Sequence, residues 1–310
     1  MVSGFLTPGG RLRVPDNVPD SHLLQDPMWP LRDSDKRPIR DSMELLEFGK
    51  DNYWTADKMV EHTMKVALPI FRWAFPGCQA LFAFDNASNH SSFAPDALVV
   101  SRMNRNPGGK QPLMRDGFIY SKQRPQSMVF SDNHPILSLR GKAKGIEQVL
   151  CERGLWRERR EDGFLFLLEC PKTHNQKGCN PEIPGGCCAR AVLSAEPDFL
   201  QQKGRLQEEL EGSGQEVIFY PKFHCELNFI ERFWCAAKFY ARENCQYSLD
   251  GLRKTIPQAL DSVQSAAINR YFHSCMRVLA AYRTGLKYGT KEFQDKVYKS
   301  HRRIEDKSKW

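Results

Sequence analysis

Two short apolar runs, each closed by turn residues and each delivering a carboxylate, constrain this chain most. Ala80-Leu-Phe-Ala-Phe84 is too short for a helix and stops at Asp85-Asn86-Ala87-Ser88-Asn89-His90. Glu216-Val-Ile-Phe-Tyr220 stops at Pro221-Lys222-Phe223-His224-Cys225-Glu226-Leu227, and a helical period then runs from Asn228 to about Glu243. Runs of this kind predict central strands of an α/β sheet, buried on both faces. In such sheets the side chains at the carboxyl ends of strands converge on one crevice. Asp85, at the end of one strand, and Glu231, one turn into the helix after the other, are expected to meet despite 145 intervening residues.

The helix adds weight to this reading. Glu231, Cys235, Lys238 and Arg242 share one face, whereas Ile230, Phe233, Trp234, Ala237 and Ala241 line the opposite one. One face packs, and the other offers an acid with two cations beyond it. Carboxylate oxygens suit hard cations such as Mg²⁺ or Mn²⁺, and two such ions can clamp the attacking and leaving oxygens of a phosphoryl transfer. Structural alternatives stay open at this stage. Asn228-x-x-Glu231 fits a capping box, and Asp85 fits a turn cap after a strand.

Around these segments the chain reads as a mixed α/β protein. Met1–Leu6 predicts a strand ended by Thr7-Pro8-Gly9-Gly10, followed to about Pro38 by a loop rich in Pro and Asp. A helix opens at Thr55, a good N-cap, and ends near Pro76-Gly77. From about 100 to 196 the character changes to Gly, Pro and Cys, which marks an insertion. A polar helix from Pro197 to Glu211 follows, and from Ser248 onward the chain is helical by period and increasingly basic.

Charge narrows the class of partner. The net charge is +8, with eleven Lys/Arg against four Asp/Glu from Arg270 to Trp310 and nine against two from Val100 to Gly145. Segregated positive charge favours a polyanion, nucleic acid first, although a solvated basic face is the plain alternative. The candidate phosphate contacts are Lys222, Arg232, Lys238, Arg242, Arg270 and Arg277. The first residues lack the basic start and apolar core of a secretory signal, and no run approaches the length of a membrane span. The ten cysteines are accordingly expected as thiols or metal ligands.

Cys170, Cys179, Cys187 and Cys188, with His174 between them, gather within 19 residues. Thiolates suit Zn²⁺, and a small insertion with little apolar core is often ordered by a metal. The gaps of eight, seven and zero residues depart from the usual closely spaced ligand pairs, so reduced buried thiols remain the alternative, with Cys151, His224 and Cys225 as remote candidates. A nucleophilic-cysteine enzyme built on His224-Cys225 is disfavoured, because adjacent residues on an extended chain point to opposite sides.

The two motifs also carry a resemblance. Leu81-Phe-Ala-Phe-Asp85-Asn86-Ala-Ser-Asn-His90 resembles the segment bearing the second aspartate of mariner-like DDE transposases. Ile218-Phe-Tyr-Pro-Lys-Phe-His-Cys-Glu-Leu-Asn-Phe-Ile-Glu231-Arg-Phe-Trp234 is similar to their strand, Pro-containing turn and Leu-Asn-x-Ile-Glu signature. Met1–Leu6, Tyr53–Thr55, Leu139–Lys142, Cys151–Trp156 and Pro197–Phe199 look like transposase-derived proteins of fungal genomes, so the resemblance spans roughly 1–285.

The resemblance implies an RNase H-like mixed sheet flanked by helices over 1–250, interrupted by the insertion at about 100–196; period and charge add a basic helical tail over 251–310. It implies Asp85 as second and Glu231 as third catalytic acid, Mg²⁺ or Mn²⁺ as cofactor, double-stranded DNA at transposon ends as substrate, a nuclear setting, and allows a homodimer. The family's first aspartate lies on a strand upstream of the one that Met1–Leu6 resembles. The expectation is therefore a DDE endonuclease domain impaired in catalysis, with a non-catalytic DNA-binding or zinc-stabilised protein as the alternative. Asp16, Asp20, Asp33 and Asp35 lie in the Pro-rich loop and are poor substitutes.

Overall fold

The computed structural model describes residues 1–32, 35–46, 53–171, 179–180, 182–183 and 185–299. In chain order the elements begin with β1 (Val2–Ser3), β2 (Leu6–Thr7), β3 (Gly10–Arg11), α1 (Asp20–Leu23) and β4 (Glu44–Leu45). Next come α2 (Ala56–His62), a π-helical turn at Thr63–Ala67, α3 (Leu68–Ala74) and β5 (Leu81–Phe84). The middle of the chain holds β6 (Gly117–Ile119), β7 (Arg124–Gln126), α4 (Ile146–Arg153), α5 (Ala189–Ser194) and α6 (Pro197–Leu200). The chain then forms α7 (Arg205–Gly212), β8 (Glu216–Phe219), α8 (Phe229–Asn244), α9 (Leu249–Ser262), α10 (Ser265–Arg283) and α11 (Lys291–Gln294). Among the described residues no helix is long and apolar enough to cross a membrane.

The chain divides into two compact units, one formed by 1–91 with 206–310 and the other by 92–205. In the first unit, Thr55 caps α2 by accepting from the Lys58 amide at 3.3 Å, as its hydroxyl and position predict. The apolar stripe of α2 and α3 buries Met59, Val60, Leu68 and Ile70 against Phe82 and Phe84 of β5 and Leu206 and Leu210 of α7. A second core joins Phe233 and Ala237 of α8 to Ala259 and Leu260 of α9 and to Ile268 of α10. The helices expected as a tail from 251 thus pack into the same unit as α8. The β2–β3 hairpin is tied to them, with Arg11 reaching Asp261 at 2.7 Å and the Asn269 amide donating to the Pro8 carbonyl at 3.1 Å.

The sheet differs from expectation. The structure is mixed α/β, yet its described strands form four separate two-stranded pairs: β1–β4, β2–β3, β5–β8 and β6–β7. Between the β2–β3 hairpin and β5 the contact is aromatic, Phe5 lying edge-on to Phe82 and Phe84 at 5.8 and 6.1 Å, and no backbone ladder joins them. β5 is also buried on one face only: Phe82 and Phe84 enter the core, while Leu81 is 57% exposed. A two-stranded pair has a single packed side, so an all-apolar run does not ensure burial of both. The polar helix expected over 197–211 is split into α6 and α7 around Gly204, a weak helix former, and in the gap the Gln202 side chain accepts from the Leu98 amide at 2.9 Å.

The second unit has its own core, in which Ile146, Val149 and Leu150 of α4 meet Ala189 and Leu193 of α5, with Met103, Met128 and Phe199. The Arg153 side chain is fully buried there. It is forked onto Asp198 at 2.7 and 2.9 Å, bonded to Glu196 and Gln126 at 2.8 Å each, and laid over the Phe199 ring. Each charge in this set has a partner, which is the condition under which buried ions persist.

Candidate functional site

β5 and β8 run parallel, in register from Leu81 opposite Glu216 to Phe84 opposite Phe219. Parallel pairing sends both carboxyl ends out on the same side, so Asp85 and Tyr220 leave the ladder as neighbours. The Tyr220 amide donates to the Phe84 carbonyl at 2.8 Å and the Asn86 side-chain amide to the Tyr220 carbonyl. Beyond them opens a cavity of about 320 Å³, lined among others by Asp85, Asn86, Lys222, Phe223, His224 and Glu231. Asp85 and Glu231 therefore line one cavity. Among its lining residues they are the only acids.

The two acids differ in how the backbone uses them. Asp85 does act as a turn cap, Oδ1 accepting from the Ala87 amide at 3.0 Å and lying 2.6 Å from Nδ1 of His90. Glu231 is not in a capping box. Asn228 makes no side-chain cap, and its amide donates to the Cys225 carbonyl at 3.1 Å instead of to Glu231. The carboxylate of Glu231 is exposed, as are Cys235, Lys238 and Arg242 along the same face, while Phe233 and Ala237 are buried. The remaining expected cations are distributed unevenly. Lys222 and Arg270 are exposed; Arg232 is half-buried; Arg277 is half-buried and donates from Nε to the Val297 carbonyl at 3.2 Å, holding the turn after α11.

The loop acids stand apart from the cavity. Asp16 pairs with Arg13 and Asp20 with Arg40, both at 2.6 Å, and Asp35 lies beside Arg37. Asp33 lies outside the described residues.

The segment joining β8 to α8 is held from beneath. Leu227 is buried against Val278 and Ala281 of α10. The Glu226 carboxylate accepts from the Tyr282 hydroxyl and sits 2.7 Å from Nδ1 of His224, and the Cys275 thiol donates to the Glu226 carbonyl at 3.2 Å. Burial would raise Glu226, but the Tyr282 and His224 bonds outweigh it and hold the carboxyl below its ordinary range. Burial and that same carboxylate push the Tyr282 phenol well up. On this base the His224 amide closes a turn onto the Pro221 carbonyl at 3.3 Å. Phe223, third in the turn, has φ +66° and is 99% exposed. That left-handed position favours Gly or Asn, and a bulky side chain there costs about 1–3 kcal/mol. Sequence reading passed over Phe223; its place after Pro-Lys in an i to i+3 turn was the available signal.

The second unit carries a different donor set. The sulfurs of Cys170, Cys179, Cys187 and Cys188 all lie within 4.8 Å of one another, with Cys179 and Cys188 3.6 Å apart. A tetrahedral ZnS₄ centre with Zn–S bonds near 2.3 Å has edges of about 3.8 Å, so this spacing fits one cation. Four thiols and no hard oxygen suit a metal such as zinc, and four protein ligands close the shell, as in structural sites. Cys151, His224 and Cys225 are not in the group, and His174 lies outside the described residues.

Local structure explains how ligands at such gaps converge. Gly185 and Gly186 have φ of +66° and +89° and turn the chain so that Cys187 and Cys188 follow side by side, both buried. A Cβ on Gly186 would meet Val192 Cγ2 at 2.7 Å, so a larger residue would have to displace Val192 as well as adopt a positive φ. Arg157 donates to the Gly185 and Gly186 carbonyls at 2.7 and 2.8 Å, and Arg160 to that of Cys187 at 3.4 Å. Burial and the neighbouring thiols push Cys179 up to about 11. Burial would also raise Cys187, but bonds from Cys170 and Cys179 outweigh it and hold that thiol down. A metal binding here would take the sulfurs as thiolates and release their protons.

No protein-family model, curated protein or solved structure matches this chain. Hard oxygens of Asp85 and Glu231 beside exposed Lys222 suit a divalent cation and a phosphate; the thiol group suits a soft metal that fastens a fold.

Proposed function

We propose that the first unit is an RNase H-like, DDE-type domain that binds duplex DNA and carries two carboxylates of a metal-dependent phosphoryl-transfer site. The observation that carries this reading is the shared cavity of Asp85 and Glu231, delivered by a parallel strand pair and the helix that follows it. The motif resemblance to mariner-like transposases supports it, as does the failure of the capping-box alternative at Glu231. Asp85 and Glu231 would hold Mg²⁺ or Mn²⁺, which supplies charge stabilisation to an in-line displacement at a DNA phosphate. Lys222, Lys238 and Arg242 would carry the flanking phosphates, with Arg270 further along α10.

The second unit is proposed as a zinc-stabilised insertion, its Cys170, Cys179, Cys187 and Cys188 holding one Zn²⁺. The expected setting is the nucleus, with transposon ends as the substrate.

A second reading, a transposon-derived protein that binds DNA without cutting it, is favoured by one observation. Asp85 is already engaged by the Ala87 amide and His90. Incubating the purified chain with supercoiled DNA and Mn²⁺ separates the two. Nicking that disappears in Glu231→Gln supports the first. Binding that falls roughly tenfold or more between about 50 and 200 mM salt, with no nicking, supports the second. Absence of DNA binding would remove both.

A further inference from the structure

We propose that Phe223 is a stacking residue for an unpaired nucleobase of the DNA held at the Asp85–Glu231 cavity, an inference that rests on the DNA reading above. Two unfavourable features fall on this one side chain. The residue is 99% exposed, and its backbone sits at φ +66° in a turn position suited to Gly. A large apolar residue gains nothing for the fold there, since it covers no core and strains its own turn.

The scaffold beneath is the opposite of loose. Leu227 is buried, and Glu226 is bonded by Tyr282, His224 and Cys275, so the turn presents the ring from a fixed base. A strained residue persists only where its surroundings over-determine it, and such residues concentrate where a ligand is met. The ring stands at the rim of the cavity, between Lys222, whose exposed ammonium suits a backbone phosphate, and His224.

An exposed ring beside a cation, at the mouth of a site for phosphodiesters, has the parts of a single-strand platform: the charge tracks the backbone and the ring takes the face of a base. Every base has such a face, so stacking would not depend on sequence. A base becomes available where a duplex frays or is opened next to the phosphate being handled. Phe223 would replace its lost stacking neighbour and hold that end open over Asp85 and Glu231.

The test compares fluorescence anisotropy of two labelled duplexes, one blunt and one with a short unpaired overhang, against the full chain and Phe223→Gly and Phe223→Trp. The overhang duplex is expected to bind more tightly than the blunt one. Phe223→Gly should lose about tenfold or more on the overhang duplex and little on the blunt one, the scale of one base–aromatic stack. Phe223→Trp should keep the preference. Thermal melting of Phe223→Gly should not fall, since relief of the left-handed turn offsets the extra freedom that Gly gives the unfolded chain. A wild-type chain indifferent to the overhang, or a Phe223→Gly that retains the preference, would overturn the proposal while leaving DNA binding intact. A Phe223→Gly that melts earlier would overturn it by showing a structural role. Failure to bind either duplex would instead remove the DNA reading, and this inference with it.

Discussion

Acidification should unlock the first unit through His62. Its side chain is 1% exposed. It is held between the Ser42 carbonyl, 2.9 Å from Nε2, and the Ser3 hydroxyl, 3.2 Å from Nδ1, with Phe5 and Trp54 against its ring. Burial lowers it from 6.5 to about 4, partly opposed by the bond to Ser42. The folded chain therefore keeps the imidazole neutral while the unfolded chain protonates near 6.5. The stability this provides is complete above that value and is lost as pH falls from 6.5 through 4. With about 1.4 kcal/mol per pH unit of difference, the loss between about pH 7.5 and 4.5 is about 2.5 kcal/mol.

Neighbouring acids act in the opposite sense. Asp41 and Glu44 are both held above their ordinary ranges, mainly by burial, so each favours the folded state at low pH and reduces the net change. The clean comparison is His62→Gln, which retains a donor for Ser42 and cannot titrate. Urea unfolding followed by fluorescence at the two pH values should show the wild type losing about 2.5 kcal/mol more than the variant. Losses equal to within about 0.5 kcal/mol would refute a buried neutral His62.

Other outcomes follow from the same structure. Metal analysis of protein purified without added zinc should find about one Zn²⁺ per chain; Cys179→Ser and Cys188→Ser should lose it, Cys151→Ser should retain it, and an unchanged metal content in the first two would leave the thiols without this role. Gly186→Ala should weaken zinc retention through the clash with Val192 and the positive φ; full occupancy in that variant would dismiss the turn as the device that places Cys187 and Cys188. Arg153→Met should cost the second unit about 3–5 kcal/mol by stranding the buried Asp198 carboxylate; a loss under about 1 kcal/mol in denaturant titration would show that the fork contributes little.

What could be read in advance was whatever local periodicity and turn chemistry decide. The Thr55 cap, the stop at Asp85, the strand over Glu216–Phe219 and the two faces of α8 depend on residues within a turn or two of each other, and the structure has them. The distant and the non-local were hidden. Nothing in Leu81-Phe-Ala-Phe84 says that only the phenylalanine side is covered, since that depends on which elements pack over the pair. The cysteine gaps departed from the usual ligand spacing, and Gly185 and Gly186, at positive φ, supply the turn that brings Cys187 and Cys188 to the other two sulfurs. The positive φ of Phe223 depends on how the turn is closed and held, which its residue type does not reveal.

The central claim is that Asp85 and Glu231 act together on a divalent cation at a DNA phosphate. Titration of Mn²⁺ followed by electron paramagnetic resonance, with a duplex present and the thiol group loaded with zinc, addresses it most directly. The account predicts a bound Mn²⁺ that is lost in Asp85→Asn and equally in Glu231→Gln, with DNA binding and folding retained in both. A bound ion indifferent to either substitution, or no bound Mn²⁺ at all on protein that holds DNA, would contradict it.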